Sequence, residues 1–137
     1  MMNIYQELLL DHYRYPRNRG SLPKSDFFSK QHNPSCGDSV QFSGSISGEI
    51  IKEVVFEGQG CVISQATASM LTEEVKNKVL HEIHLLDKNF IVRMIGMQLG
   101  PIRIKCALLP LIALQEGIAT YKKKVSSPLT RPGQAED

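Results

Sequence analysis

A chain of 137 residues favours one domain, and with 42% hydrophobic residues it can bury a core without disulfides. Sixteen basic and fourteen acidic residues leave a formal charge of +2. That charge is too small to direct the chain to nucleic acid or to a membrane surface. The one basic run, Lys122-Lys123-Lys124, reads as the solvated end of a helix.

Residues Ile4 to Tyr13 have helical periodicity. Ile4 and Leu8, and then Tyr5, Leu9 and Tyr13, fall at i, i+4 spacing and make one apolar face. The opening MMNIYQELLLDHY has no basic leader and too short an apolar run for a signal peptide, so a cytoplasmic location is expected. Pro16 and Arg17-Asn18-Arg19-Gly20 end the helix. A polar connection follows from Ser21 to Ser35. Within it Phe27-Phe28 should anchor onto the core, and a short strand is expected near Phe27 to His32.

Val40, Phe42, Gly44 and Ile46 alternate with polar residues, which predicts a strand. Ser47-Gly48-Glu49 is a hairpin turn, and the β-branched segment Ile50 to Glu57 is the returning strand. Gly58-Gln59-Gly60 should break the sheet. A helix is expected from Ser64, its N-cap, with Ala68, Leu71 and Val75 on one stripe. A further helix is expected over Leu80 to Ile95, and a last one from Cys106 to Tyr121. The apolar stretch Cys106 to Leu114 is too short to span a membrane, and Pro110 interrupts it. A single domain is expected over residues 1–125, followed by a disordered polar tail over 126–137.

The three cysteines carry the chemistry. Each falls at an expected element boundary: Cys36 after Pro34, Cys61 after Gly60, and Cys106 at the start of the last helix. In a reducing compartment such thiols are metal ligands or nucleophiles more often than disulfides, and an odd count argues against a closed disulfide framework. Pro110 cannot donate to the Cys106 carbonyl, so that backbone should escape regular pairing. Lys105 beside Cys106, and a helix start just after Cys61, would each favour the thiolate.

Asp38 adds an oxygen two residues from Cys36, with Gly37 allowing the turn between them. Three thiolates and one carboxylate suit a zinc or iron–sulfur site. The spacings of 25 and 45 residues match no short zinc motif. A metal-free catalytic thiol and three small buried cysteines therefore remain as readings. Of the histidines, His32 is nearest a cysteine, His12 sits among polar neighbours on the first helix, and His81 and His84 are paired on a helix around Glu82.

LLLDHYRYPRNRG, NPSCGDSV, FEGQGCVISQATASML and GPIRIKCALLPL, in this order, resemble the U-type iron–sulfur cluster scaffold family. That family comprises IscU, SufU and the N-terminal domain of NifU. The resemblance spans roughly residues 3 to 120. It implies an α+β fold, a small antiparallel β-sheet packed against several helices. It also implies that Cys36, Asp38, Cys61 and Cys106 gather at one exposed end and receive persulfide sulfur from a cysteine desulfurase. In the scaffold branch the sulfur joins iron in a transient [2Fe–2S] cluster, passed on to recipient apoproteins, with an iron donor or frataxin-like protein as a further partner. There Cys106 would be the persulfide acceptor. In the SufU branch the site holds Zn2+, and Cys61 would accept sulfur.

The resemblance implies a carrier more than an enzyme, with sulfurtransferase activity as the alternative. A different class, a zinc-stabilised interaction domain without sulfur traffic, is a third reading. Lys105 stands where the scaffold branch has histidine. Leu99-Gly100-Pro101-Ile102-Arg103 stands in place of its proline-rich chaperone-recognition segment. Both look like SufU, yet the gap between Cys61 and Cys106 is short for the SufU insertion.

Overall fold

Three strands form one antiparallel sheet in the order β1-β2-β3: β1 is Phe27–Asn33, β2 is Asp38–Ser47 and β3 is Ile50–Gln59. The computed structural model describes residues 3–35 and 37–126. The β2–β3 hairpin turns on Gly48 and Glu49, whose φ values of 60° and 67° match the twist of the flanking strands. Alternation along β2 sends Val40 and Phe42 inward to full burial. Phe42 pairs across the sheet with Phe56, ring centroids 6.4 Å apart. Each such ring stabilises the fold by roughly 1.5–3 kcal/mol relative to exposure. The strand expected near Phe27 is present as β1. Of its aromatic pair, Phe27 anchors in the core and Phe28 is exposed. β3 runs on through Gly58 and Gln59, so the sheet ends two residues later than the glycines suggested.

The helices cover the inner face. α1 (Ile4–Arg14) begins with a reciprocal cap: Asn3 Oδ1 accepts the Gln6 N–H at 2.9 Å, and Gln6 Oε1 accepts the Asn3 N–H at 3.1 Å. The predicted Ile4/Leu8 face does not bury, since Ile4 is 74% exposed and Leu8 42%. The buried stripe is Leu9 and His12, because α1 packs on α2 along that line.

α2 (Val62–Val75) is the central helix, buried on every side from Ile63 to Thr72. Its small residues Ser64, Ala66, Ala68 and Ser69 let neighbouring elements approach closely. Its N-cap is Cys61 and not Ser64.

The single helix expected over Leu80 to Ile95 is two: α3 (Leu80–His84) and α4 (Lys88–Ile95). Asp87 caps α4 by accepting the Phe90 N–H at 3.0 Å. Gln115 Nε2 donates to the carbonyls of Ile83, His84 and Leu86 and holds the break open. α5 (Pro101–Ser126) starts five residues earlier than predicted, with Pro101 at its first position, where proline is favoured. It runs through the buried Pro110. Its packed face is Ala107, Leu111, Ala113, Leu114 and Ile118, whereas the predicted Ile112 is 46% exposed. No described helix is long and apolar enough to cross a membrane. The predicted tail lies, beyond Ser126, outside the described residues.

His12, expected among polar neighbours, is buried. Its Nδ1 lies 2.7 Å from Ser69 Oγ, which also accepts the Arg17 N–H at 2.8 Å, and its Nε2 lies 3.6 Å from Glu73. Burial, and next the Arg17 charge, push the ring below its ordinary pKa of 6.5, while Glu73 and Asp11 pull the other way. A lowered folded pKa means that the unfolded chain binds the extra proton first. The contribution of His12 is therefore present above pH 6.5 and lost as pH falls through the lower folded value. Melting temperature should drop across that window in the parent. In His12→Gln that part of the slope should vanish; an identical slope would assign the pH dependence elsewhere.

Candidate metal centre

The pleat of β2 decides where Asp38 points. Asp38 shares the inward face with Val40 and Phe42, and its side chain is fully buried at the end of the sheet. The register that pairs Ser39 with Gln59 and Val40 with Gly58 brings Gly60 opposite Asp38. Gly60 has φ +141°, and a Cβ on it would lie 2.1 Å from Asp38 Oδ1. Only glycine leaves room there for the carboxylate.

The next residue is Cys61, exposed at the N-terminus of α2. Its N–H donates to Asp38 Oδ1 at 2.7 Å, and its Sγ lies 3.4 Å from Asp38 Oδ2. As N-cap, the same sulfur accepts the Ser64 N–H at 3.4 Å. An orphan helix donor thus points at the sulfur.

Cys106 arrives from α5. It lies inside the helix, not at its start as predicted, and is only 4% exposed. The ligand atoms of Asp38, Cys61 and Cys106 all lie within 4.8 Å of one another. Two sulfurs on a tetrahedral zinc at about 2.3 Å would be roughly 3.7 Å apart. Three elements distant in sequence thus deliver two thiols and a carboxylate at near-coordinating separation. This donor set fits zinc or iron.

Cys36 lies outside the described residues; its neighbours Ser35 and Gly37 belong to the turn between the paired Asn33 and Asp38. Lys105 is exposed. Successive helical positions point about 100° apart, so the Lys105 and Cys106 side chains leave α5 in different directions. The predicted pairing of the two does not follow from their adjacency. Among the described residues no histidine joins the cluster.

A cavity of about 860 Å³ opens beside the two thiols, lined by Leu9, Met97, Leu99, Ile102 and Arg103 among others. The segment Leu99–Arg103 therefore forms one wall of the approach to the site. Sequence reasoning missed Gln65, buried behind Cys61 and bonded to Ser39 and Ser64. Its helical position alone carries no signal. Only the strand register shows what it faces.

The NifU-like N-terminal domain family matches residues 4–128. The zinc-dependent sulfurtransferase SufU of Bacillus subtilis is 36% identical, the match covering 85% of this chain and 90% of that one. The iron–sulfur cluster assembly scaffold protein IscU of Haemophilus influenzae is 35% identical over 88% of this chain and 97% of its own. A candidate iron–sulfur cluster assembly scaffold for the SUF system of Fervidobacterium islandicum superposes with a TM-score of 0.71 at 28% identity, covering 82% of this chain and 94% of that one. The family match spans nearly the whole described chain and takes in all three cluster residues: this protein belongs to the NifU-like N-terminal domain family.

Proposed function

We propose that this protein is an iron–sulfur cluster assembly scaffold. It takes persulfide sulfur from a cysteine desulfurase, builds a [2Fe–2S] cluster on Cys36, Asp38, Cys61 and Cys106, and releases it to recipient apoproteins. The observation that carries this reading is the convergence of Asp38, Cys61 and Cys106 from three separate elements in a chain of this family.

The resemblance implied Cys106 as the acceptor in a scaffold, and exposure favours Cys61 instead. A donor persulfide must reach the thiol that attacks it, and Cys61 is exposed whereas Cys106 is buried. The Cys61 thiolate attacks the outer sulfur of the donor persulfide. A new S–S bond forms, and the donor cysteine leaves as a thiolate. Asp38 Oδ2, 3.4 Å away, is the acceptor for the Cys61 S–H. Two ferrous ions and two zero-valent sulfurs then need two further electrons, from an external thiol or one-electron carrier, to become two ferric ions and two sulfides. Asp38 is the ligand that yields first on release, because carboxylate holds iron less firmly than thiolate.

A second reading, the zinc-dependent sulfurtransferase, has the likeness to SufU and the exposed Lys105 in its favour. The same donor set closes a tetrahedral zinc site. Anaerobic incubation with desulfurase, cysteine, ferrous iron and dithiothreitol separates the two. The scaffold reading expects iron and acid-labile sulfide in equal amounts, an absorption envelope of a [2Fe–2S] cluster, and its transfer to an apo-ferredoxin. Zinc retained with persulfide on Cys61 and no bound iron would replace it with the sulfurtransferase. Metal content unaffected by Cys36→Ser, Cys61→Ser and Cys106→Ser alike would reject both.

A further inference from the structure

Gln65 lies in the first turn of α2 and is 5% exposed. Its Nε2 donates to the Ser39 carbonyl at 3.3 Å and to Ser64 Oγ at 3.1 Å. Ser64 Oγ in turn donates to the Cys61 carbonyl at 3.2 Å, as does the Gln65 N–H. One side chain thus ties the residue beside Asp38 on β2 to the turn that carries Cys61. Gly58 keeps the space clear, since a Cβ there would lie 2.2 Å from the Ser39 oxygen and 3.1 Å from Gln65 Oε1.

Stability does not account for this glutamine. Its Oε1 is buried with no hydrogen-bond partner among the described residues. An orphaned buried acceptor is unfavourable, and an apolar side chain of similar length would avoid it. Departures of this kind gather at functional sites. The side-chain contact between Cys61 and Asp38 cannot keep the site in register through a reaction, because Sγ and Oδ2 are themselves the atoms offered to sulfur or metal. That leaves the Cys61 N–H bond to Asp38 Oδ1 as the direct tie, on a carboxylate that is itself a ligand. The Gln65 bonds run to a backbone carbonyl and a hydroxyl that take no part in ligand exchange.

We propose that Gln65 is a positioning residue that holds the Cys61 turn at a fixed distance from the Asp38 end of β2 while the ligands exchange their cargo. This rests on the reading of Asp38, Cys61 and Cys106 as ligands. Outer contacts of this kind set metal affinity by about 10- to 100-fold.

Anaerobic titration of the full chain with Co2+ tests it, read by thiolate-to-cobalt charge transfer and by the d–d bands. In Gln65→Leu the affinity should fall about 10- to 100-fold and the d–d bands should shift, while helical circular dichroism stays at the parent value. In an Asp38→Ala background the same change should add little, because the spacing it controls has lost one end. Parent-like affinity and bands in Gln65→Leu would overturn the role of Gln65 alone, as would full additivity in the double variant. A parent that shows no thiolate-to-cobalt bands would overturn the ligand reading, and this proposal with it. If Gln65→Leu does not fold, Ser64→Ala removes the hydroxyl relay and carries the test: shifted bands support the proposal, and parent bands refute it.

Discussion

Gly60→Ala is expected to abolish metal and cluster binding and to lower stability by about 2–4 kcal/mol. Two causes act together. A φ of +141° is a conformation that side chains rarely adopt, and the added carbon would sit 2.1 Å from Asp38 Oδ1 and 2.8 Å from Asp38 Cα. Neither neighbour can move far, because Asp38 is fully buried at the end of β2 and its carboxylate accepts the Cys61 N–H. The strain must break that bond or displace Cys61 from the head of α2. Gly48→Ala is the control: its φ of +60° also strains a side chain, but nothing lies within 4 Å of the added carbon and it sits in the β2–β3 turn. It should lower the melting temperature and leave iron uptake at the parent level. Iron uptake equal in the two variants would show that the contact between residues 60 and 38 does not organise the site.

Asp38→Ala should have the next largest effect, and it divides into two parts. Removing the carboxylate leaves the Cys61 N–H without the acceptor it has at 2.7 Å. A donor left unpaired costs about 1–3 kcal/mol when fully buried; this one is part-buried, so the lower end applies, a drop in melting temperature of a few degrees, on the order of 5 °C, for a chain this size. Asp38 therefore shapes the fold as well as the cargo site. Asp38→Asn separates the roles. Its amide oxygen can still accept the Cys61 N–H, so most of the stability should return. The anionic ligand is gone, so a bound cluster should be lost or transferred at a changed rate. Melting curves and cluster-transfer kinetics on both variants decide the matter. If Asp38→Asn transfers its cluster at the parent rate, Asp38 is structural and not a releasable ligand.

The hydrophobic code of the sheet was open to reading. Val40 and Phe42 alternate, Ser47-Gly48-Glu49 turns, and Ile50 to Glu57 returns, because a half-buried strand writes its two faces into alternate residues. The order of the four cysteine-bearing and flanking motifs led to the family, and the family match over residues 4–128 agrees. Helix limits were less legible. The break between α3 and α4 depends on Gln115, about thirty residues away in sequence, whose amide takes three carbonyl oxygens. The start of α5 at Pro101 was hidden because proline and glycine there read as breakers, although proline is at home in a first helical turn.

By itself, then, the sequence determined the hairpin through local periodicity and, through the family its motifs resemble, the α+β class. It also named Cys36, Asp38, Cys61 and Cys106 as candidate ligands from residue chemistry. Tertiary structure alone decided which faces bury. Ile4 and Leu8 are exposed while His12 is enclosed, because α1 meets α2 along Leu9 and His12. It alone made Cys61 reachable and Cys106 buried. The register of β2 against β3 set Gly60 against Asp38 and gave Gln65 a carbonyl to hold. Such contacts join residues more than twenty positions apart, and their energies depend on packing that no local window of sequence contains.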